Sequence, residues 1–166
     1  MKKKVVFFSV VALFIIIVIN FPIYRLLAFP GYMRNFYSQE QIRQVMYIGT
    51  PWDRAAVKDV MNLAKEAFSD CGRGHSEDEN YKKYGELSMY ASSTDIYPET
   101  VKTKYSLKLW SVHLDDNEGY MWVYYSQEGI NAEGETDYGS WRINSLWKVE
   151  KNTDGNWVVT DISEPS

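Results

Sequence analysis

Trp141-Arg142-Ile143-Asn144-Ser145-Leu146-Trp147-Lys148-Val149-Glu150, followed by Asn152-Thr153-Asp154-Gly155 and Trp157-Val158-Val159-Thr160-Asp161-Ile162, is the stretch that decides the fold. Trp141, Ile143, Ser145, Trp147 and Val149 alternate with Arg142, Asn144, Leu146, Lys148 and Glu150. That is the two-residue period of a strand whose faces meet different surroundings. The Asp-Gly pair marks a tight turn, and Trp157 to Ile162 returns as the last strand of an antiparallel sheet.

The same period extends upstream. Tyr105 to Leu114 reads as a strand with Leu107 and Leu109 on one face and Trp110, Val112 and Leu114 on the other; the switch at Leu109-Trp110 predicts a bulge or bend. Asp115 to Gly119 reads as a hairpin loop and Tyr120 to Ser126 as the returning strand. There Trp122 and Tyr124 share one face and Tyr125 the other, without a sign of which row leaves the core. Gln127 to Gly139, with three glycines and several acids, reads as a long loop or wide hairpin. Before residue 101 the period is helical. Ser38-x-x-Gln41 has capping-box form, with Gly49 as a left-handed stop. Thr50-Pro51-x-Asp53 opens a helix over 51–69 whose Val57, Val60, Met61, Leu63, Ala64, Ala67 and Phe68 form one stripe. The polar run 72–80 reads as a loop, 81–85 as a short helix or more loop, 87–91 as a strand and 92–100 as a connection.

Helices first and antiparallel strands second define an α+β domain with a helix stripe covering one sheet face. The order of elements and the ending Leu146-Trp147-Lys148-Val149-Glu150-Lys151 … Asp154-Gly155-Asn156-Trp157-Val158-Val159 resemble the NTF2-like (SnoaL-like) superfamily, whose members often finish with W-x-V-x-K … D-G-x-W-x-V. The resemblance covers residues 38 to 163 as a pattern, closely only in the final hairpin, and that motif is structural. It implies a cone-like curved antiparallel sheet wrapped around helices, with a cavity between them. A cystatin-like fold, one helix wrapped by four or five strands, is the alternative. Some relatives are isomerases, cyclases or dehydratases that use a cavity Asp or His with a Tyr; others are binding or assembly modules. No catalytic motif matches here, so no residue role is carried over.

The chain opens with a basic tail, residues 1–4, then Val5 to Tyr24 without a charge. Twenty residues of helix reach about 30 Å, the hydrocarbon thickness of a bilayer. Lys2, Lys3 and Lys4 hold that end in the cytoplasm, which predicts a single-pass cell-membrane protein with its C-terminal domain on the extracellular side. A cleaved signal peptide is the other reading of 5–24, although Ile19-Asn20-Phe21-Pro22 is a poor cleavage site. Residues 25–37 then form a juxtamembrane linker and 38–166 the folded domain. Lys2, Lys3, Lys4 and Arg25 are the basic residues up to position 25 and no acid accompanies them, so 14 of the 18 face 22 acids beyond residue 25, a formal charge of −8. Such a surface repels phosphate backbones and argues against nucleic-acid binding. One cysteine, Cys71, permits no intramolecular disulfide; it reads as a small buried residue at a helix end or as a reactive thiol.

Candidate chemistry is sparse. His113 and Asp115, two apart at a strand end, have the spacing of a general base and its orienter, against the plainer reading of a hairpin flank. Trp110, Trp122, Tyr124 and Trp147 are candidates for lining a ligand pocket, against a core role. His75 with Glu77, Asp78 and Glu79 reads as a solvated acidic loop, and no metal or cofactor is expected. The expected function is a membrane-anchored extracytoplasmic binding or assembly module without catalytic activity, its partner an envelope protein or peptide. A small isomerase- or hydrolase-type enzyme is the alternative. Homodimerisation through an open sheet face is also expected.

Overall fold

A computed structural model of the protein describes residue 31, residues 33–71 and residues 75–165. The basic tail 1–4, the apolar run 5–24 and most of the linker 25–37 lie outside these residues; among those described, no helix is long and apolar enough to cross a membrane. The chain divides into two units, 1–47 and 48–166. The described part of the first holds two short helices, α1 (Met33–Phe36) and α2 (Gln39–Gln44). The capping box of α2 is present: the Ser38 hydroxyl accepts from the Gln41 N–H at 3.2 Å, and the Gln41 side chain accepts from the Ser38 N–H at 2.8 Å.

The second unit is a four-stranded antiparallel meander preceded by helices. Its strands are β1 (Lys102–Asp115), β2 (Glu118–Ile130), β3 (Thr136–Lys151) and β4 (Trp157–Ser163), paired in that order. Four register shifts bend them; one sets Asp137 off the ladder between the Gly129–Tyr138 and Ile130–Thr136 pairs, and the other three are bulges. The predicted one inserts Trp110 between the Leu109–Val123 and Ser111–Trp122 pairs. The second sets Trp141 and Arg142 against Ser126, with Arg142 at φ 59° and its N–H on the Ser126 hydroxyl at 2.9 Å. The third inserts Thr160 opposite the Lys148–Val149 step. Each extra residue shifts the side-chain alternation and tightens the local twist. The second bulge leaves Trp141 exposed although Ile143, Ser145, Trp147 and Val149 continue along the inner face.

The loop expected over 127–139 is mostly strand. Gly129 and Gly139 sit inside β2 and β3 because aromatic rings lie where a side chain would be. A Cβ on Gly129 would fall 2.0 Å from the Tyr138 ring, and one on Gly139 would fall 2.4 Å from the Trp141 ring. The connection shrinks to 131–135, where the Asn131 side chain accepts from the Glu135 N–H at 2.8 Å. The β1–β2 connection likewise shrinks to Asp116-Asn117, with Asp116 at φ 41°. The final turn is as expected: Asn152 Oδ1 accepts from the N–H groups of Asp154 and Asn156, and Gly155 has φ 78°.

The helix expected over 51–69 breaks at Val57 into α3 (Pro51–Ala56) and α4 (Lys58–Ser69). Thr50 and Asp53 form the capping box of α3, which buries nothing. Five stripe residues of α4, Val60, Met61, Ala64, Ala67 and Phe68, are buried. Val57, fully buried at φ −92° and ψ 13°, makes the joint between a solvent-facing turn and a core-facing helix. Arg54 donates to the carbonyls of Ile48 at 2.8 Å and Leu109 at 3.0 Å, which ties α3 to the first bulge. The α4 stripe packs on Val112, Met121, Val123, Tyr125, Trp147 and Val149. Each such side chain, fully buried, contributes roughly 1.5–3 kcal/mol.

Two further expectations are corrected. Residues 77–84 form α5 (Glu77–Tyr84), not a loop running into an ambiguous segment. Ser76 and Glu79 supply a capping box, three acids fill the first turn, and Lys82 and Lys83 the last. Leu87 to Ala91 is not a strand: Gly85–Tyr90 is a 3-10 turn, begun by Gly85 at φ 60°, that buries Leu87 and Tyr90 one turn apart. Gly49, at φ 88°, lies beyond the end of α2, where a Cβ would fall 2.5 Å from the Val112 carbonyl oxygen.

Candidate functional site

The structure separates the residues singled out from the sequence. His113 and Asp115 are exposed at the far end of β1, with the His113 ring 5.6 Å from that of Tyr120. Trp110 and Tyr124 meet edge-to-face at 5.8 Å. Tyr124 and Trp122 lie on the sheet face opposite α4, and Trp122 is nonetheless 1% exposed. Trp147 lies on the inner face and is fully buried, apart from the other three. Tyr125 is therefore the row that enters the helix-side core. His75 Nδ1 is 3.8 Å from Asp70, which also accepts from Tyr84 at 2.6 Å and Lys83 at 3.4 Å. Burial and then the Asp70 contact push the Tyr84 phenol up. Among the described residues, no group of three His, Cys, Asp or Glu side chains could hold a metal ion.

Two arrangements were not singled out from the sequence. The first is a polar network inside the core. Tyr125 donates to both Glu164 oxygens at 3.0 and 3.1 Å, and Tyr90 to one at 3.2 Å. Trp147 Nε1 donates to the Tyr90 oxygen at 3.0 Å and the Ser145 oxygen at 2.9 Å, and those two hydroxyls are 3.1 Å apart. Phe68 stacks on Tyr90 at 4.2 Å, while Gln127 donates to the Phe68 and Tyr90 carbonyls and fixes both elements to β2. Burial lifts the Glu164 carboxyl above its ordinary value, against hydrogen bonds from Tyr125, Ser145 and Tyr90 that favour the charged form. Burial, reinforced by the negative charge of Glu164, pushes the Tyr90 phenol well up, so it stays a donor. Chemically this is a carboxylate that can hold a proton beside two phenols. The legible signal was the period of β4: stepping by two from Ile162 puts Glu164 on the inner side.

The second arrangement is a pair of open clefts along β4. One, of about 670 Å³, lies between α4, residues 83–87 and the start of β4; Leu63, Tyr84, Leu87, Trp157 and Val159 line it, with Asp59 and Glu66 at the rim. The other, about 600 Å³, lies between α5, residues 86–97 and Asp161-Ile162. None of Tyr90, Tyr125, Ser145, Trp147 or Glu164 lines either cleft.

No family model matches the chain, and no curated protein matches it. Among solved structures it is similar to a conserved protein from Planctomyces limnophilus, with TM-score 0.44 and 9% identity over 70% of this chain and 100% of that one. A protein from Kribbella flavida gives TM-score 0.44 and 9% identity over 68% and 89% of the two chains. One from Catenulispora acidiphila gives TM-score 0.37 and 10% identity over 81% and 91%. At these values the similarity says nothing about activity or partner.

Proposed function

We propose that the chain is a membrane-anchored, extracytoplasmic binding or assembly module without catalytic activity, held by residues 5–24 and built on an NTF2-like domain. More than one helical segment precedes the meander, and its final hairpin carries the W-x-V-x-K … D-G-x-W-x-V form; both favour NTF2-like over cystatin-like architecture. The observation that carries the reading is the separation of chemistry from access. The Glu164 network directs its donors to internal partners, while the two clefts described along β4 are lined by other residues. Binding there needs a surface and no reacting group.

The test is site-specific photocross-linking in intact cells, with a photoreactive residue at Asn62 in the first cleft and, as control, at Asp116 in the β1–β2 turn. A discrete adduct from Asn62 and none from Asp116 is expected. The same pattern at both positions, or at neither, would remove the reading. A second reading, a small isomerase- or hydrolase-type enzyme, draws on one observation: Glu164 lies between Tyr90 and Tyr125. It requires Glu164, not His113, as the base, and turnover of a small molecule abolished by Glu164→Gln would establish it.

A further inference from the structure

The two edges of the sheet are defended differently. β1, at one edge, carries exposed Lys102, Lys104 and Lys108, the charges that natural edge strands use to discourage pairing. At the other edge, β4 opens with Trp157-Val158-Val159, without a charge, and Val158 is 37% exposed. No strand lies beyond β4 among the described residues. The 670 Å³ cleft lies along that uncharged segment, with an apolar floor that includes Leu63, Leu87 and Trp157. An open edge beside an apolar trough is the geometry for adding a strand: main-chain hydrogen bonds on one side, alternate side chains in the trough.

Charge selects the occupant. Asp59 and Glu66 stand at the first cleft against Lys83 and against Lys151, whose ammonium lies 5.2 Å from the Trp157 ring, and Glu77, Asp78, Glu86 and Asp161 line the second without a basic residue. Along the two clefts together, six carboxylates against two lysines attract a cationic chain and repel a second copy of this acidic protein. We infer that the Trp157–Val159 edge of β4 takes an extended segment of a partner in which lysine or arginine alternates with apolar residues. The apolar side chains enter the first cleft and the basic ones meet Asp59 and Glu66 there and, further along β4, the carboxylates of the second cleft. The inference rests on the binding-module reading and gives its partner a chemistry.

The probe is a capped octapeptide of alternating lysine and valine, about 25 Å when extended, titrated calorimetrically into the full-length protein in nanodiscs of neutral lipid. Saturable binding is expected, with none for the glutamate–valine octapeptide. N-methylation of alternate peptide nitrogens, which removes main-chain donors and keeps the charge, should abolish binding. Asp59→Asn combined with Glu66→Gln should weaken it about tenfold; both residues are exposed, so the thermal midpoint should not move. Equal binding of the acidic peptide, indifference to N-methylation or an unaffected double variant each overturns the inference. So does sedimentation showing β4 paired with a second copy. An adduct from Asn62 together with failure of the lysine–valine peptide removes the cationic strand and leaves the module standing; loss of both removes both.

Discussion

Glu164 lies two residues beyond the Trp157–Ile162 run that reads as the last strand, yet it fixes the sign of one pH effect. Burial lifts its carboxyl above the ordinary 4.5, so the folded chain keeps this proton to a higher pH than the unfolded chain. That contribution to stability is complete below the unfolded value and is lost as pH rises through the raised folded one. Glu164→Gln does not titrate. The native chain should therefore lose stability relative to the variant as pH rises from the ordinary 4.5 through the raised folded value, a trend that urea midpoints at several pH values would show. A constant difference would mean that the carboxyl is unperturbed. Tyr125→Phe removes the hydroxyl that donates to both Glu164 oxygens and should cost about 1–3 kcal/mol by denaturant unfolding with the slope unchanged. The sequence presented Trp122, Tyr124 and Tyr125 as opposed rows. It did not decide between them, because a strand with aromatic residues on both faces carries no polarity contrast. Ser145, polar at a core-facing position between Ile143 and Trp147, is a second mark of the network besides the period of β4.

At the level of elements, caps and turns were legible and glycines were not. Ser38-Gln41, Thr50-Asp53 and Asn152–Gly155 act as read, since each signal is a local hydrogen bond that tertiary contacts do not alter. Ser76-x-x-Glu79 is the same signal hidden in an acidic run, and composition outweighed it. Ser76→Ala should fray α5 and cost about 0.5–2 kcal/mol, seen as lost amide protection over 77–80 while α4 keeps its own. Glycines at 129 and 139 read as loop because spacing cannot tell a turn glycine from one that makes room for a ring. Gly129→Ala places a methyl into the Tyr138 ring, whose hydroxyl is 2.7 Å from the Ser92 hydroxyl, and should destabilise by about 1–3 kcal/mol. Tyr138→Ala should relieve most of that in a double-mutant cycle; additivity of the two changes would show that the ring is not the obstacle. The break of 51–69 at Val57 was not readable, since the apolar stripe runs through the joint without interruption.

For the whole molecule, the α+β order and the meander of 101–163 follow from the change of period near residue 101, and α4 docks on the sheet by the face that its spacing defines. The site does not follow, because clefts arise between elements distant in sequence: Asp59, Lys83 and Trp157 meet only once α4, α5 and β4 are assembled. The candidates chosen for chemistry, His113 and Asp115, lie at the far hairpin, while the accessible surface borders an unpaired edge. Hydrogen exchange on the full-length protein, with and without the lysine–valine octapeptide, reads strand addition at β4 amide by amide. New amide protection is expected over 157–161 alone, with the 102–115 edge unchanged. Protection on 102–115 instead, or none on β4 at saturating peptide, would contradict strand addition there.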